Sequence, residues 1–519
     1  MTPRPVALLS VLTLPVLAAC VAERGPLVNR MARSTTSYLV RAARQPVGWQ
    51  PWGRDAFELA ARLDRPVLLY VGSDDCRLCA LMDREAYADP ELGVLIDSLF
   101  VPVRVDRDAR PDVARWYESA VQTLAGLRGL PLTVFLTPDG AAFFGGTFFP
   151  ADDPVTGRGL RQILPEVARS YRERREFVFR HAALVRELAV ARSALGGGAG
   201  PLRSEVVRRE IDGVRRTLGA AARGPASPGG VAHAQAIGLM LAEYRWSGDT
   251  VWLAAAIAGL DLLLDSLVAP GLGREDPPPL LRAALLRQLA AAAGPTGRDG
   301  YREAARRLAR QLVRDLGERD RRDIYADQEA FRIGALLEAA PALGEPELVE
   351  QARLALEALL KRVYAPGRGV RHAPDGDIVG LLQDQVQVAV ACLAAYRALG
   401  RTAAAGAPPL LNRFLAVAQD LAAILDRDFA DSAGGYYDSA RPDPAAPALA
   451  DRTKQVLDDV LPGANAWAAH LLLDLADVTG DARYRERARA TLQAFAGLIG
   501  GEGVGAASYL AAAREALPR

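Results

Sequence analysis

Apolar residues follow two different spacings along this chain, and each spacing predicts its own kind of structure. In the first part, short runs rich in β-branched and aromatic residues alternate with stretches of helical spacing, which predicts strands separated by helices. The strands are expected at Val67–Gly72, Phe100–Val105, Leu132–Leu136 and Ala142–Gly146, with helices from Cys76 to Glu85 and from Asp112 to Leu124.

Beyond about residue 203 the apolar residues recur only at helical spacing, and a glycine turn separates successive helices. A glycine can end a helix in the left-handed conformation, so each turn predicts the tip of a helical hairpin. Tips at Gly248, Gly297, Gly344, Gly400 and Gly480 predict five hairpins, at about 231–267, 279–316, 328–363, 381–428 and 464–498. Helices near 203–222 and 505–517 raise the total to twelve, which makes a closed (α/α)6 toroid if the first and last pair.

The motif Cys76-Arg77-Leu78-Cys79 follows the first predicted strand and opens a predicted helix, which Ser73-Asp74-Asp75 are expected to cap. The positive end of a helix dipole lowers the pKa of a thiol placed there. Cys76 is therefore expected to be the attacking thiolate, and Cys79 the more buried, resolving thiol. Pro131 opens the third strand, where thioredoxins place a cis-proline, so we expect the Leu130–Pro131 bond to be cis.

Two other interpretations of the CxxC motif stay open. One is that the two cysteines form half of a zinc site. Zinc needs four ligands, however, and the remaining cysteines (Cys20 and Cys392) and the four histidines are scattered along the chain. No metal and no cofactor is therefore expected. The other is that the two cysteines form an inert structural disulfide, because disulfides persist outside the cytoplasm. In addition, thioredoxins bury an acid in the strand before the motif, and the strand before Cys76 holds none.

The length and the glycine content indicate how the chain divides. At 519 residues it exceeds one ordinary core, and the order of its first strands and helices is that of a thioredoxin core. The predicted fold class is an α/β thioredoxin-like N-terminal domain followed by an all-α (α/α)6 toroid. The predicted segments are a lipoprotein signal peptide at 1–20, an N-terminal extension at 21–45, the thioredoxin-like domain with its C-terminal helix at 46–195, a Gly-rich linker at 196–202 and the toroid at 203–519.

Charge excludes one class of partner. The 63 basic and 62 acidic residues give a net charge of +1. Nucleic-acid binding needs a concentrated positive excess to meet the phosphates, so no nucleic-acid partner is expected.

The first twenty residues have the pattern of a bacterial lipoprotein signal. Arg4 precedes an apolar run from Val6 to Ala19, which is too short for a stable transmembrane helix but suits a signal-peptide core. The run ends in Leu17-Ala18-Ala19-Cys20, which resembles the lipoprotein box, where cleavage precedes a diacylglycerol-modified cysteine. We expect an exported protein of the cell envelope, lipid-anchored to the membrane through Cys20 and facing the periplasm or exterior. A plain secretory signal with an incidental cysteine is the alternative.

Motifs on both sides of the CxxC resemble one known family. They include Gln45-Pro46-Val47-Gly48-Trp49, Val105–Asp112, Gly129-Leu130-Pro131-Leu132 and Gly145-Gly146-Thr147-Phe148-Phe149-Pro150. Over about residues 29–150 the chain resembles the thioredoxin-domain family that includes spermatogenesis-associated protein 20 and many bacterial proteins of unknown function. The resemblance implies a thioredoxin-like domain joined to a toroid like those of six-hairpin glycosidases and N-acylglucosamine 2-epimerases, and it leaves the reaction undefined. The family's usual Cys-His-Trp-Cys-His differs here, because Arg77, Leu78 and Ala80 replace both histidines and the tryptophan.

Polar residues in loops at one end of a toroid are candidates for chemistry, because those loops build its pocket. Paired carboxylates are what glycoside hydrolysis requires, and a histidine suits proton abstraction at a sugar carbon. The candidates are His233, Asp327, His372, Asp384, Tyr437, Asp438, Asp459 and Asn465.

Three functions follow from the sequence. The first is a thiol–disulfide oxidoreductase or redox-linked accessory protein, whose partner is a thiol-containing protein. The second is a carbohydrate-binding or carbohydrate-active toroid to which the thioredoxin fold is a structural partner. The third is a non-catalytic envelope scaffold.

Overall fold

The computed structural model describes residues 27–517, except 154, 156, 195–197, 222–229, 269–276, 319–323, 377, 403–407 and 450. The predicted lipoprotein signal with Cys20, and the first two residues of the predicted linker, lie outside the described residues. Within the described part of the chain, no helix is both long enough and apolar enough to span a bilayer.

The chain forms two compact units. The first comprises residues up to Ser34, Tyr38–Val105 and Gly129–Ala183. The second comprises Thr35–Ser37, Asp106–Arg128 and Leu184–Arg519. The segment Asp106–Arg128 thus packs with the helices of the second unit, although the sequence assigns it to the first domain. The domain boundaries drawn from the sequence stay predictions.

A small mixed sheet organises the first unit. Its strands are β1 (Gln50–Pro51), β2 (Val67–Gly72), β3 (Val101–Asp106), β4 (Leu132–Leu136) and β5 (Ala142–Gly146), in the order β1-β3-β2-β4-β5. β1 runs parallel to β3, whereas β2 and β5 both run antiparallel to β4. Every residue of β2, β3 and β4 is buried, as is expected of central strands that are covered on both faces.

The helices up to residue 194 are α1 (Ser37–Arg41), α2 (Arg54–Leu63), α3 (Arg77–Glu85), α4 (Pro90–Leu99), α5 (Pro111–Ala125), α6 (Leu160–Glu173) and α7 (Arg175–Ala194). The strand predictions at 67–72, 132–136 and 142–146 are confirmed residue for residue. Helix α4 was missed by the sequence analysis, although its start carries a clear signal. Asp89 caps it by accepting hydrogen bonds from the backbone N–H groups of Glu91 (2.8 Å) and Leu92 (3.2 Å), and Pro90 occupies the first turn.

The second unit is dominated by long helices that pair as hairpins. They are α8 (Ser204–Ala221), α9 (Val231–Ser247), α10 (Thr250–Val268), α11 (Pro279–Thr296), α12 (Asp299–Glu318), α13 (Ala326–Leu343), α14 (Pro346–Val363), α15 (Leu382–Thr402), α16 (Pro408–Ile424), α17 (Ala464–Thr479), α18 (Ala482–Gln493) and α19 (Ala507–Ala516). A two-stranded hairpin, β6 (Tyr364–Ala365) and β7 (Gly369–Val370), connects α14 to α15.

These twelve helices close into a double ring within the described residues. Helices α9, α11, α13, α15, α17 and α19 each pack on the next, and α19 packs back on α9. Five of them pair with the helix that follows, and α19 pairs with α8, so the first and last helices of the ring meet as predicted. The inner helices are rich in small apolar residues that are buried on every side, which is the pattern of a helix enclosed by others.

The glycine tips fall where predicted, with one exception. Gly248 and Gly480 end their helices with φ of +71° and +75°, a conformation that glycine adopts without steric cost. Gly400, in contrast, was predicted wrongly as a tip. Helix α15 continues through it to Thr402, because a helix tolerates an interior glycine at a cost of only about 1 kcal/mol.

Candidate functional site

The two cysteines of the CxxC motif lie at the start of α3 in the first unit. Cys76 is the N-cap residue, and its Sγ accepts a hydrogen bond from the backbone N–H of Cys79 at 3.1 Å. The prediction that Ser73-Asp74-Asp75 would cap this helix is therefore wrong, since the cysteine itself takes that position. Cys76 is partly exposed, Cys79 is fully buried, and the two form a disulfide.

Pro131 directly precedes β4, and the Leu130–Pro131 peptide bond is cis. Tyr70 of β2 reaches the CxxC segment from the sheet, where its hydroxyl donates to the Cys79 carbonyl at 3.4 Å. The CxxC disulfide thus follows β2, and the hydrogen bond from Tyr70 holds the backbone of Cys79 to the sheet.

A group of polar and aromatic side chains, here called the arginine cluster, consists of the buried Tyr38, Trp49, Tyr70 and Arg104 and the partly buried Asp83. The guanidinium of Arg104 is 1% exposed and donates to both Asp83 carboxylate oxygens, at 2.7 and 2.8 Å. It lies over three aromatic rings, 4.5 Å from the Tyr38 centroid, 5.0 Å from that of Tyr70 and 5.6 Å from that of Trp49. Such cation–π contacts strengthen when they are desolvated.

The electrostatics of this cluster keep Arg104 charged and Tyr70 neutral. Burial alone would lower the pKa of Arg104, but the neighbouring Tyr38 and the Asp83 carboxylate outweigh it and raise that pKa. Burial, reinforced by Tyr38 and Tyr87, raises the pKa of Tyr70 well above its ordinary value. The Tyr70 hydroxyl is therefore a hydrogen-bond donor across the physiological pH range.

The arginine cluster was not predicted from the sequence, because an acid was expected only in the strand before Cys76. The acid lies instead on α3, four residues after Cys79, and residues four apart share one face of a helix. Asp83 could have been found from that spacing. Arg104, on a different strand, carried no comparable signal.

In the second unit, three of the predicted ring residues come together. Asp327, His372 and Asp384 offer side-chain atoms that all lie within 4.8 Å of one another, and each side chain is buried. Asp327 lies in the first turn of α13 and Asp384 in the first turn of α15, while His372 precedes α15. We call these three residues the histidine–aspartate cluster.

Both ring nitrogens of His372 are engaged. Nδ1 lies 2.9 Å from one Asp384 oxygen, and Nε2 lies 2.7 Å from the backbone carbonyl of Asp108. A carbonyl only accepts hydrogen bonds, so Nε2 carries a proton. Burial disfavours the charged ring, but Asp384, with Asp327 and the Asp108 carbonyl, raises the pKa of His372 to about 10. His372 is thus an imidazolium.

An imidazolium with both N–H groups donated has no lone pair to offer. In this protonation state it does not fit the role of a general base. Asp327 is the other altered group, since burial and the nearby Asp384 carboxylate raise its pKa to about 6. The histidine–aspartate cluster is best described as a buried ion pair of His372 with Asp384. The backbone N–H of Asp327, which donates to Asp384 at 3.2 Å, joins α13 to this pair.

The segment from Asp108 to Arg115 lies against the ring loops of its own unit. Besides the carbonyl contact to His372, the Asp108 carboxylate accepts from the Gln328 amide at 2.9 Å. Arg110 pairs with Asp443, and Arg115 donates to Gln455. These contacts place this segment over the end of the ring where the histidine–aspartate cluster lies.

Two further predicted ring residues hold loops in place. Asn465 is fully buried, accepts from the Tyr436 N–H at 2.7 Å and donates to the carbonyls of Tyr436 and Gln455 at 2.9 Å. Asp438 accepts from the Thr453 hydroxyl and the Gln455 N–H, both at 2.8 Å.

The other three predicted ring residues do not belong to the histidine–aspartate cluster either. Tyr437 lies under Arg452, whose guanidinium carbon is 3.8 Å from the ring centroid. His233 is half-buried in the first turn of α9, where burial lowers its pKa, and Asp459 is exposed.

Comparison with known proteins bears on the first part of the chain. Residues 28–189 match the family described as "Thioredox_DsbH: Protein of unknown function, DUF255". Human spermatogenesis-associated protein 20 is 35% identical over 170 residues, which are 33% of this chain and 22% of the human protein. The resemblance predicted from the sequence is therefore confirmed for this segment, and the match spans about a fifth of the length of that relative.

Solved structures resemble the chain weakly. A possible member of the GH105 family from Salmonella enterica is 13% identical, with a TM-score of 0.45, over 60% of this chain and 93% of that protein. An unsaturated glucuronyl hydrolase specific for heparin is 13% identical, with a TM-score of 0.44, over 60% of this chain and 97% of that protein. The closed ring is therefore inferred from the packing of its own helices alone.

Proposed function

We propose that this protein performs thiol–disulfide exchange through Cys76 and Cys79, carried by a thioredoxin-like domain. One observation supports this above the others: Cys76 caps a helix and is partly exposed, while its partner Cys79 is fully buried behind it. A helix N-terminus stabilises a thiolate, and exchange needs one accessible sulfur. An accessible first sulfur and a sheltered second sulfur are what an exchange reaction requires.

The exchange step transfers one bond at a time. A substrate thiolate attacks Cys76 Sγ, a new S–S bond forms, the Cys76–Cys79 bond breaks, and the electron pair leaves on Cys79 Sγ. A second thiolate of the same substrate then attacks the mixed disulfide and releases Cys76 as a thiolate. The substrate dithiol is oxidised to a disulfide and the protein disulfide is reduced, and the reverse sequence uses the same atoms. The partner implied is a thiol-containing protein.

For the helical ring we propose a scaffold role. The histidine–aspartate cluster supports it, because His372 has both nitrogens committed and lies beneath the Asp108 carbonyl. A carbohydrate-active ring that used His372 as its base would need one of those nitrogens unprotonated.

We also propose that the protein is exported and anchored through a lipid on Cys20. The support is the sequence of residues 1–20, with its apolar run ending at that cysteine. Mass spectrometry of the protein extracted from bacterial membranes should find an acylated Cys20 at the N-terminus. An N-terminus at Met1, or a soluble and unacylated chain, would contradict the anchor.

The exchange function is tested by equilibrating the native protein with mixtures of reduced and oxidised glutathione. Quenching with acid and alkylating the free thiols gives the fraction of Cys76–Cys79 disulfide by peptide mass spectrometry. We expect a reversible two-electron transition in the folded protein. The Cys76→Ser variant is the control and should form no intramolecular disulfide. A disulfide that stays fully oxidised until the protein unfolds would overturn the proposal.

A further inference from the structure

Gly72, at the end of β2, leaves a gap that two side chains share. A β-carbon at Gly72 would collide with the hydroxyl oxygen of Tyr38 and would lie 3.2 Å from Cys79 Sγ. The Tyr38 hydroxyl and the Cys79 sulfur thus border the same small space. Tyr38 is 4% exposed, and Cys79 is fully buried.

The arginine cluster fixes the position of that hydroxyl. The guanidinium carbon of Arg104 lies 4.5 Å from the Tyr38 ring centroid, and Asp83 holds the guanidinium from the side through two hydrogen bonds. Because Asp83 offsets most of the charge of Arg104, the guanidinium orients the ring more than it acts on the sulfur directly.

We infer that the Tyr38 hydroxyl stabilises the thiolate of Cys79 when that sulfur is the leaving group. This inference rests on the proposed exchange function. When the substrate thiolate attacks Cys76 Sγ, the electron pair of the broken S–S bond moves to Cys79 Sγ. The Tyr38 O–H can donate to that anion without transferring its proton, so atoms and charge balance with no further reactant.

A hydrogen-bond donor beside Cys79 Sγ offsets a free-energy cost that arises because this sulfur is buried. A thiolate formed in an apolar site is costly, because burial favours the neutral thiol. A phenol beside the sulfur removes part of that cost, which makes Cys79 a better leaving group and stabilises the dithiol form. The strand before the CxxC motif holds no carboxyl group that could assist Cys79. Tyr38 would assist it instead, by stabilising the thiolate.

The test removes only the hydroxyl. In the full chain, Tyr38→Phe keeps the ring over Arg104 and should shift the glutathione equilibrium toward the disulfide by about tenfold, the size expected for one hydrogen bond to a charged group. In a Cys76→Ser background, where Cys79 is left single, the same substitution should raise the pKa of Cys79 by about one unit, followed by thiolate absorbance at 240 nm.

The matched control is Tyr87→Phe, which removes a buried hydroxyl from a ring that packs on Trp49 and Tyr70. It should leave the equilibrium and the Cys79 pKa unchanged. If Tyr38→Phe shifts neither quantity, or if both variants shift them equally, the inference is overturned. If the wild-type disulfide does not exchange while the Cys79 pKa still shifts, the exchange function fails and the contact between Tyr38 and the thiolate stands.

Discussion

The Asp83 carboxylate accepts two parallel hydrogen bonds, of 2.7 and 2.8 Å, from the Arg104 guanidinium. Asp83 belongs to the helix that begins at the CxxC motif, and Arg104 belongs to β3. A bidentate pair of this kind fixes direction as well as distance. The pair therefore ties the helix that begins at the CxxC motif to the sheet, one turn beyond Cys79.

Removing Arg104 should destabilise the first unit. Arg104→Met leaves a partly buried carboxylate without its partner, and the expected loss is about 3 kcal/mol, the low end for a buried pair because Asp83 is 25% exposed. Denaturant unfolding measures it. Arg158→Ala, which breaks an ion pair whose members are 64% and 52% exposed, should cost less than about 1 kcal/mol. Equal losses in the two variants would argue against the cluster as a structural anchor.

The cysteines should differ sharply in reactivity after mild reduction of the folded protein. Cys76 is partly exposed, whereas Cys79 and Cys392 are fully buried, and burial raises the pKa of Cys392. Iodoacetamide should label Cys76 first, and Cys392 only on unfolding. Peptide mass spectrometry over a time course reports the order. Labelling of Cys79 before Cys76 would reverse the assigned roles of the two thiols.

Much of this architecture could be predicted from the sequence, for identifiable physical reasons. The ring was predictable because its helices end at glycines such as Gly248 and Gly480, which adopt the left-handed conformation that ends a helix. Helix α4 was not predicted, although Asp89 and Pro90 mark its start, because the apolar pattern along it is interrupted. The packing of Asp106–Arg128 with the second unit depends on long-range contacts, such as Arg110 with Asp443, that no local pattern announces.

The candidate sites divide in the same way. The CxxC was visible because its two residues are three apart. The arginine cluster was not, since Tyr38, Asp83 and Arg104 come from two different helices and a strand. Among the ring candidates, Asp327, His372 and Asp384 meet, whereas residues such as Asn465 hold loops. Asp and Asn serve both roles, so residue type alone could not separate them.

Breaking the histidine–aspartate cluster should be costly. Asp384→Asn leaves the buried His372 imidazolium without its counter-charge, and the expected loss is about 3–5 kcal/mol in the free energy of unfolding. Urea unfolding followed by circular dichroism measures it, because the ring dominates the helical signal. A surface control is Glu350→Gln, whose carboxylate is 57% exposed. A loss below about 1 kcal/mol for Asp384→Asn would mean that His372 is neutral in the folded protein.

The same cluster should make stability fall with rising pH. Asp384 raises the pKa of His372 to about 10 despite burial, against about 6.5 for an unfolded chain. Its contribution is therefore complete below pH 6.5 and is lost as pH rises toward 10, by up to about 1.4 kcal/mol per pH unit. The rise in the pKa of Asp327 to about 6 acts at lower pH, below this window.

Urea unfolding of the wild type and of His372→Gln between pH 6.5 and 9.5 separates this effect from other groups. The wild type should lose stability steadily across the range, and the variant should show a flatter profile. Identical slopes for both proteins would show that another group, such as His470, whose pKa Glu515 raises against burial, carries the dependence.

The most direct test of the central claim is to trap the reaction half-way. In reduced Cys79→Ser the resolving sulfur is gone, so Cys76 should form a long-lived mixed disulfide with oxidised glutathione, stable in the folded protein and assigned to Cys76 by peptide mass spectrometry. The Cys76→Ser control should form the corresponding adduct at the fully buried Cys79 far more slowly. If Cys79→Ser forms no adduct in its folded state, or if Cys79 proves the faster sulfur in the control, exchange through Cys76 is contradicted.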